Sequence, residues 1–267
     1  MAKSFFEVGS AKVHVVGDGI FATDAGNLFG ENAKNAKIRG AMHAVLVATD
    51  DALVLLDAGF GPELPEYLEE RYELEREKNL MDRIAEAGYD PEDITHVVLS
   101  HLDPDHIGWA LSPPSFPNAT VYVQEAALEE AREMPEGEGR REAVPAVEKG
   151  VEEGWCELLE GNAEIATGLR VEVRRGHAEG HQISWIESEG EAALFTADLA
   201  PGKIWLNPDL IGGTDTNPEA AGKNRREVLT EAEERNAPVI LYHEPNDFLV
   251  KIRKTDEGFE GEPWEEG

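Results

Sequence analysis

A single cysteine, Cys156, is all the thiol chemistry this chain carries. That excludes an internal disulfide and any thiolate metal cluster. Cys156 lies in an acidic stretch that raises its pKa, so it reads as a buried or incidental thiol and not as a nucleophile. Long hydrophobic runs are also missing: no stretch approaches the roughly 20 apolar residues a membrane helix needs. The first residues, Met1-Ala2-Lys3-Ser4-Phe5-Phe6, lack the apolar segment and small-residue cleavage site of a signal peptide, which points to the cytoplasm. Basic residues are scarce. Only 24 Lys and Arg stand against 55 Asp and Glu, a formal net charge of -31. Such a surface repels nucleic acid and anionic membranes, leaving a small molecule as the expected partner, alone or with a second copy in a homodimer. The acids are dispersed over helices and loops, as in a halophilic surface whose self-repulsion is screened by counterions at high salt.

What is present suffices for a sizeable core. At 267 residues and 41% hydrophobic the chain is globular. It has no Gly/Ser/Pro-rich linker and no short-period repeat, so residues 1–267 read as a single domain with a charged, loose tail from Thr255. The run Val13–Val16 alternates like a strand, and 44–48 meets 52–56 across Asp50-Asp51 as a hairpin. Residues 64–87 read as a charged helix closing at Gly88, with Pro91 beyond. Strand-like runs return at 95–99 and 120–123, followed by helical stretches from 124 to 134 and after Arg140. A further strand set covers 169–173, 183–187 and 192–196. Helix 218–235 precedes strands at 239–242 and 248–252. This β, α, β, α order fits two packed sheets with helices outside.

Polar residues gather where these strands end. The run His101-Leu102-Asp103-Pro104-Asp105-His106 sets two imidazoles and two carboxylates within six residues, directly after a strand. Imidazole and carboxylate suit borderline and hard divalent metals. Asp57 ends Leu53–Leu56; His177 and His181 precede Ile183; Asp198 follows Phe195; His243 follows Tyr242. Rigid strands commonly deliver site residues at their ends.

As a set, these segments resemble the metallo-β-lactamase fold hydrolases. Their pattern of Asp, His-x-His-x-Asp-His, His, Asp and His is matched by Asp57, His101 to His106, His181, Asp198 and His243. The resemblance runs from about Val13 to about Ile252 and is nearest the lactonase-like branch, which includes acyl-homoserine-lactone hydrolases and methyl-parathion-hydrolase relatives. It implies an α/β fold, a four-layer αββα sandwich of two mixed β-sheets with helices on the outer faces. It implies two divalent metal ions, one held by His101, Asp103 and His181, the other by Asp105, His106 and His243, with Asp198 bridging. Asp57 would support the ligands from behind, and His177 falls outside a ligand set that is full without it. His14, His43 and His96 have no place in the pattern. The implied reaction is hydrolysis of a lactone or other ester by a hydroxide shared between the ions, with thioesters and phosphotriesters as neighbouring substrates. Asp105 would orient the nucleophile and take part in proton transfer. Trp109, Phe116 and Trp205 would wall an apolar pocket. Pro201 stands where the branch often carries a substrate-contacting Tyr.

The departure is Asp103, at a position where the family usually has histidine. Asp103, Asp105, Asp198 and a hydroxide would cancel all four charges of two divalent ions, whereas the usual site keeps one net positive charge. Zinc is the metal the resemblance implies; a harder carboxylate ligand opens the choice to iron or manganese. Flavodiiron proteins of the same superfamily carry an acidic residue there and use iron. The alternatives are therefore a non-haem iron redox or oxygen-handling protein, or a metal-binding relative without turnover.

Overall fold

The computed structural model describes residues 4–29, 31–64, 66–111 and 115–265; Met1, Ala2 and Lys3 of the N-terminal reading lie outside them. In chain order the first sheet contains β1 (Phe5–Val8), β2 (Ala11–Asp24), β3 (Lys37–Ala48), β4 (Leu53–Leu56), β5 (Glu73–Glu75), β6 (His96–Val98), β7 (Thr120–Gln124) and β8 (Cys156–Leu159). The second contains β9 (Ala163–Ala166), β10 (Leu169–Val173), β11 (Gln182–Ser188), β12 (Glu191–Phe195), β13 (Pro238–Ile240), β14 (Leu249–Thr255) and β15 (Gly258–Pro263). The helices are α1 (Gly26–Phe29), α2 (Leu80–Glu86), α3 (Pro104–Ile107), α4 (Glu125–Glu133), α5 (Val144–Glu153) and α6 (Pro218–Glu234).

Strict alternation of apolar residues sorts the chain into layers. In β3, Val45 and Val47 face one way while Ala44 and Leu46 face the other; in β4, Val54 and Leu56 oppose Leu53 and Leu55. Side chains one residue apart leave opposite faces of a strand, so strands apolar at every position must be covered on both sides. The inner faces meet Leu169, Val171, Phe195, Ile240 and Tyr242 of the second sheet. The outer face of the first sheet is covered by α2, α4 and α5 through Ile84, Leu128 and Val147. The outer face of the second is covered by α6 through Val228, Leu229 and Ala232. The result is the four-layer αββα sandwich read from the resemblance, with two mixed sheets.

The mixture of strand directions builds the site. β4, β6, β7 and β8 run parallel, and so do β12 and β13. β10 shares the direction of β12, being separated from it by one antiparallel strand. Parallel strands finish on the same edge, and that edge is where ligands bind in open α/β sheets. The residues after β4, β6, β10, β12 and β13 include Asp57, His101, His177, Asp198 and His243.

Two expectations fail. Residues 66–87 are not one helix: a single 3-10 turn and β5 precede α2, which starts only where Asn79 caps it by accepting from Asp82 N–H. Leu74 on β5 packs into the inter-sheet core, and β5 pairs with β2, a tertiary contact that outweighs local helix preference. Pro65, within the expected helix, lies outside the described residues. The tail beyond Thr255 is not loose through Trp264. It turns at Gly258, whose φ of 139° suits glycine, and pairs back on β14 with Phe259 buried in the core. Among the described residues no helix is long and apolar enough to cross a membrane.

Candidate metal centre

Asp57 has a left-handed φ of 58°, unusual for a non-glycine residue. Three hydrogen bonds hold it there. Ser100 N–H and Oγ–H donate to its two carboxylate oxygens at 2.7 Å each, and His106 Nδ1–H donates at 2.7 Å. All three residues are buried. Strain kept at such a position is a mark of sites where geometry matters more than local stability.

The consequence is chemical. With Nδ1 of His106 committed to Asp57, Nε2 carries the free lone pair. The same logic fixes two more rings, and a fourth stands beside a carboxylate. Ser100 Oγ, its proton given to Asp57, accepts from His101 Nδ1–H at 2.9 Å. His243 Nδ1–H donates to the Ala41 carbonyl at 2.8 Å. His177 Nδ1 lies 3.4 Å from Asp215 Oδ1. Four imidazoles thus point Nε2 at a common space, three of them braced by a hydrogen bond on Nδ1, the arrangement that orients metal-ligating histidines.

Those Nε2 atoms meet carboxylates in two groups. His101, Asp103, His177 and Asp198 bring one ligand atom each within 4.8 Å of one another, and so do Asp105, His106 and His243. Asp103 Oδ2 is 3.1 Å from both His101 Nε2 and His177 Nε2. In the second group, His243 Nε2 is 3.4 Å from Asp105 Oδ2. Asp198 spans both: Oδ2 lies 3.5 Å from His177 Nε2, while Oδ1 lies 3.3 Å from His106 Nε2 and 3.2 Å from His243 Nε2. Buried polar atoms are normally paired. Here His101 Nε2, His106 Nε2 and Asp198 Oδ1 are buried without a hydrogen-bond partner, although aimed at one another. Unpaired imidazole and carboxylate donors converging in this way fit divalent cations.

Electrostatics agree. Burial alone would raise the Asp198 carboxyl, but His243 and His106 outweigh it and hold it well below the usual carboxylate range. Burial lowers the His101 ring to about 4, with His106 adding to the effect, so its nitrogen stays unprotonated. Burial works to lower His177 as well, yet its hydrogen bonds to Asp103 and Asp215 lift it to about 9. A proton held among carboxylates is one a cation can replace.

The resemblance implies His181 in the first group and His177 outside it; in the structure His177 Nε2 lies among His101, Asp103 and Asp198, and His181 Nε2 lies beside Asp198. His181 Nε2 accepts the backbone N–H of Asp198 at 3.2 Å, and His177 Nε2 faces Arg140 Nη2 at 3.3 Å. His181 thereby steadies the backbone of Asp198 next to the donor group. The two histidines share a Gly-His-Ala-Glu-Gly-His segment. The other expected ligands, His101, Asp103, Asp105, His106, Asp198 and His243, come together.

Two further residues were not read from the sequence. Asp215 backs His177, and Arg140 grips Asp103 with Nε–Oδ1 at 2.5 Å and Nη2–Oδ2 at 3.1 Å. Trp109 and Phe116 do not wall the site: both sit in the helix-side core, and Trp109 Nε1–H donates to Asp18. Trp205 does reach it. It lines a cavity of about 510 Å³ with Phe21, Phe60, Tyr72, Leu28 and Leu68, floored by Asp103, Asp105, Asp198, His177 and His243. His43 does not line that cavity; its Nε2 bonds to the Glu244 carbonyl at 2.9 Å. Cys156 is buried, and burial pushes its thiol up to about 12, as an inert residue requires.

Residues 39–243 match the family model of the metallo-beta-lactamase superfamily. The N-acyl homoserine lactonase of Bacillus thuringiensis is 26% identical over 217 residues, covering 74% of this chain and 78% of its own length. The probable metallo-hydrolase Rv2300c of Mycobacterium tuberculosis is 31% identical over 177 residues, covering 58% of this chain and 56% of its own. Among solved structures, AidC, a dizinc quorum-quenching lactonase in complex with a product, superposes with a TM-score of 0.81 at 21% identity. That alignment covers 98% of this chain and 97% of AidC, a likeness of fold.

Proposed function

The chain belongs to the metallo-beta-lactamase superfamily, and from that premise we propose that it is a metal-dependent hydrolase of lactones or related esters. Its ligands are His101, Asp103 and His177 on one side, Asp105, His106 and His243 on the other, and Asp198 between them. The observation that carries this reading is the pair of donor groups sharing one carboxylate, with imidazole nitrogens that find no other partner. Two divalent ions bound there supply Lewis acidity toward the substrate carbonyl and lower the pKa of water.

The protein's own residues do the rest. Asp105 borders the cavity beside the donor groups and is placed to orient the attacking water and accept its proton. Phe21, Phe60, Tyr72 and Trp205 present an apolar wall that suits an acyl chain and thins the water around the reacting carbonyl. Pro201 offers no hydroxyl, so a leaving alkoxide receives no phenol at that position. The hydrolytic descriptions of the relatives favour this chemistry over an iron redox role. The dispersed acidity belongs to the same reading as a high-salt surface on a protein that handles small molecules in the cytoplasm.

Metal analysis of the purified chain, paired with turnover of an N-acyl homoserine lactone, a simple aryl ester and a phosphotriester, tests the proposal. Two zinc or manganese ions per chain and chelator-sensitive ester or lactone turnover are expected. Iron with oxygen consumption and no hydrolysis, or metal without turnover of any of the three, overturns it.

A further inference from the structure

Asp103 is held more tightly than a ligand on a surface turn would be. It occupies the N-cap position of α3 yet makes no side-chain cap bond to the helix, so its carboxylate is free to turn away. It turns to Arg140, which lies on the 3-10 segment Gly139–Ala143 and is 5% exposed. The guanidinium takes Asp103 as a fork: Nε on Oδ1 and Nη2 on Oδ2. Its remaining arm, Nη1, reaches Glu130 on α4 at 3.2 Å. Nη2 also lies 3.3 Å from His177 Nε2 and 3.4 Å from the His177 carbonyl. One buried cation therefore touches two members of the first donor group and is tied down at its far end.

Resting on the metal-centre reading above, we infer that Arg140 is the positioning residue that lets an aspartate stand where a neutral donor would otherwise be needed. Two effects follow from the fork. The first is geometric: Oδ1 is engaged by Arg140 Nε, while Oδ2 also faces His101 and His177 at 3.1 Å. Asp103 then offers one oxygen to the group, as an imidazole offers one nitrogen. The second is electrostatic: the buried guanidinium lies against both carboxylate oxygens, Nε on Oδ1 and Nη2 on Oδ2. The added negative charge is matched at contact distance by a positive one, and the centre keeps the charge balance it would have with a neutral ligand. Bidentate Arg–carboxylate pairing supplies this with a fixed direction that a lysine cannot reproduce.

The test is zinc binding to the purified protein, read as stoichiometry and as competition with a chelator, with thermal melting of the metal-free protein alongside. Removing a residue that orients a ligand typically costs 10- to 100-fold in metal affinity. Arg140→Gln is expected to weaken one of the two zinc sites by about that factor, and Arg140→Lys to recover only part of it. Asp103→His alone leaves the guanidinium buried against imidazole and is expected to bind zinc worse than wild type. Adding Arg140→Gln to it should restore affinity by about tenfold or more, a coupling that separate structural damage does not produce. The inference is overturned if Arg140→Gln binds zinc within twofold of wild type. It is equally overturned if that variant binds more tightly, because the guanidinium would then be competing with the ion. If Arg140→Gln does not fold, the comparison of Asp103→His with the double variant decides alone: recovery supports the inference and its absence refutes it. A wild-type protein that takes up no zinc would instead strike at the metal-centre reading itself.

Discussion

Asp57→Asn should separate metal affinity from fold stability. In the native site Asp57 Oδ1 accepts from Ser100 N–H, while Oδ2 accepts from Ser100 Oγ–H and His106 Nδ1–H, all at 2.7 Å. Asparagine keeps one oxygen, which stays with the Ser100 amide. The new Nδ2 can donate to Ser100 Oγ, but it cannot accept from His106. To avoid two facing N–H groups, His106 must shift its proton to Nε2, the nitrogen that lies 3.3 Å from Asp198 Oδ1. That nitrogen then has no lone pair for a metal. Binding zinc requires forcing the proton back to Nδ1 and forfeiting a buried, charge-assisted hydrogen bond worth about 1.5–3 kcal/mol. At about 1.4 kcal/mol per decade this is roughly a 10- to 100-fold loss of affinity. The metal-free protein keeps its backbone bond to Ser100 and loses about 2 kcal/mol, a fall in Tm of roughly 4–8 °C for a chain of this size. Chelator competition and calorimetry on the same sample measure both. Zinc affinity within twofold of wild type would refute the claim that Asp57 sets the His106 tautomer.

Three other outcomes follow from the structure. Gly108→Ala has no room: a Cβ there would lie 1.9 Å from the Phe60 carbonyl carbon and 2.2 Å from Gly61 N. Both are backbone atoms, so a loss of about 3 kcal/mol or more is expected, and a Tm within about 2 °C of wild type would contradict it. His43, lowered by burial to about 4, resists protonation in the folded chain. The unfolded chain binds that proton from about pH 6.5 downward, so this residue removes about 2.5 kcal/mol of stability between about pH 7 and about pH 4.5. Urea midpoints at the two pH values should fall further apart in wild type than in His43→Gln, and equal falls would refute the assignment. The net charge of -31 predicts a Tm that climbs as KCl rises from about 0.1 to about 2 M, because the Debye length shortens from about 10 Å to below about 3 Å. A flat or falling curve would show that self-repulsion is not what limits this fold.

Strands and their terminal residues were legible because a sheet covered on both sides imposes apolar residues at every position and stops them abruptly. In the runs Leu53–Leu56 and Ala192–Phe195 the carboxylate that follows, Asp57 or Asp198, marks the edge of the sheet. The stretch from 66 to 87 was less legible because its charges are compatible with helix, turn or edge strand, and only the packing of Leu74 against the inter-sheet core decides. The choice between His177 and His181 is of another kind. Both histidines have glycine before them and both are buried, so local sequence cannot say which nitrogen is free. What differs is the surroundings of each ring: Asp103, Asp215 and Arg140 about His177, and the Asp198 backbone amide at Nε2 of His181.

Asp103 carries the same lesson into electrostatics. Taken alone, its carboxylate cancels the last positive charge of a two-ion centre and argues for a different metal or no metal. Arg140, 37 residues away in sequence, touches both of its oxygens. A ligand's charge is therefore a property of the pair, and the pair forms only because the glycine-containing loop before Arg140 folds back onto α3. Gly139 is part of that approach: a Cβ there would come within 3.2 Å of the Pro104 ring, the first residue of the helix that Asp103 caps. The aspartate at position 103 and the conformation of the 135–143 segment are thus one structural feature. A change that loosens either should be read first in metal retention, where the fork acts, and only second in the melting temperature.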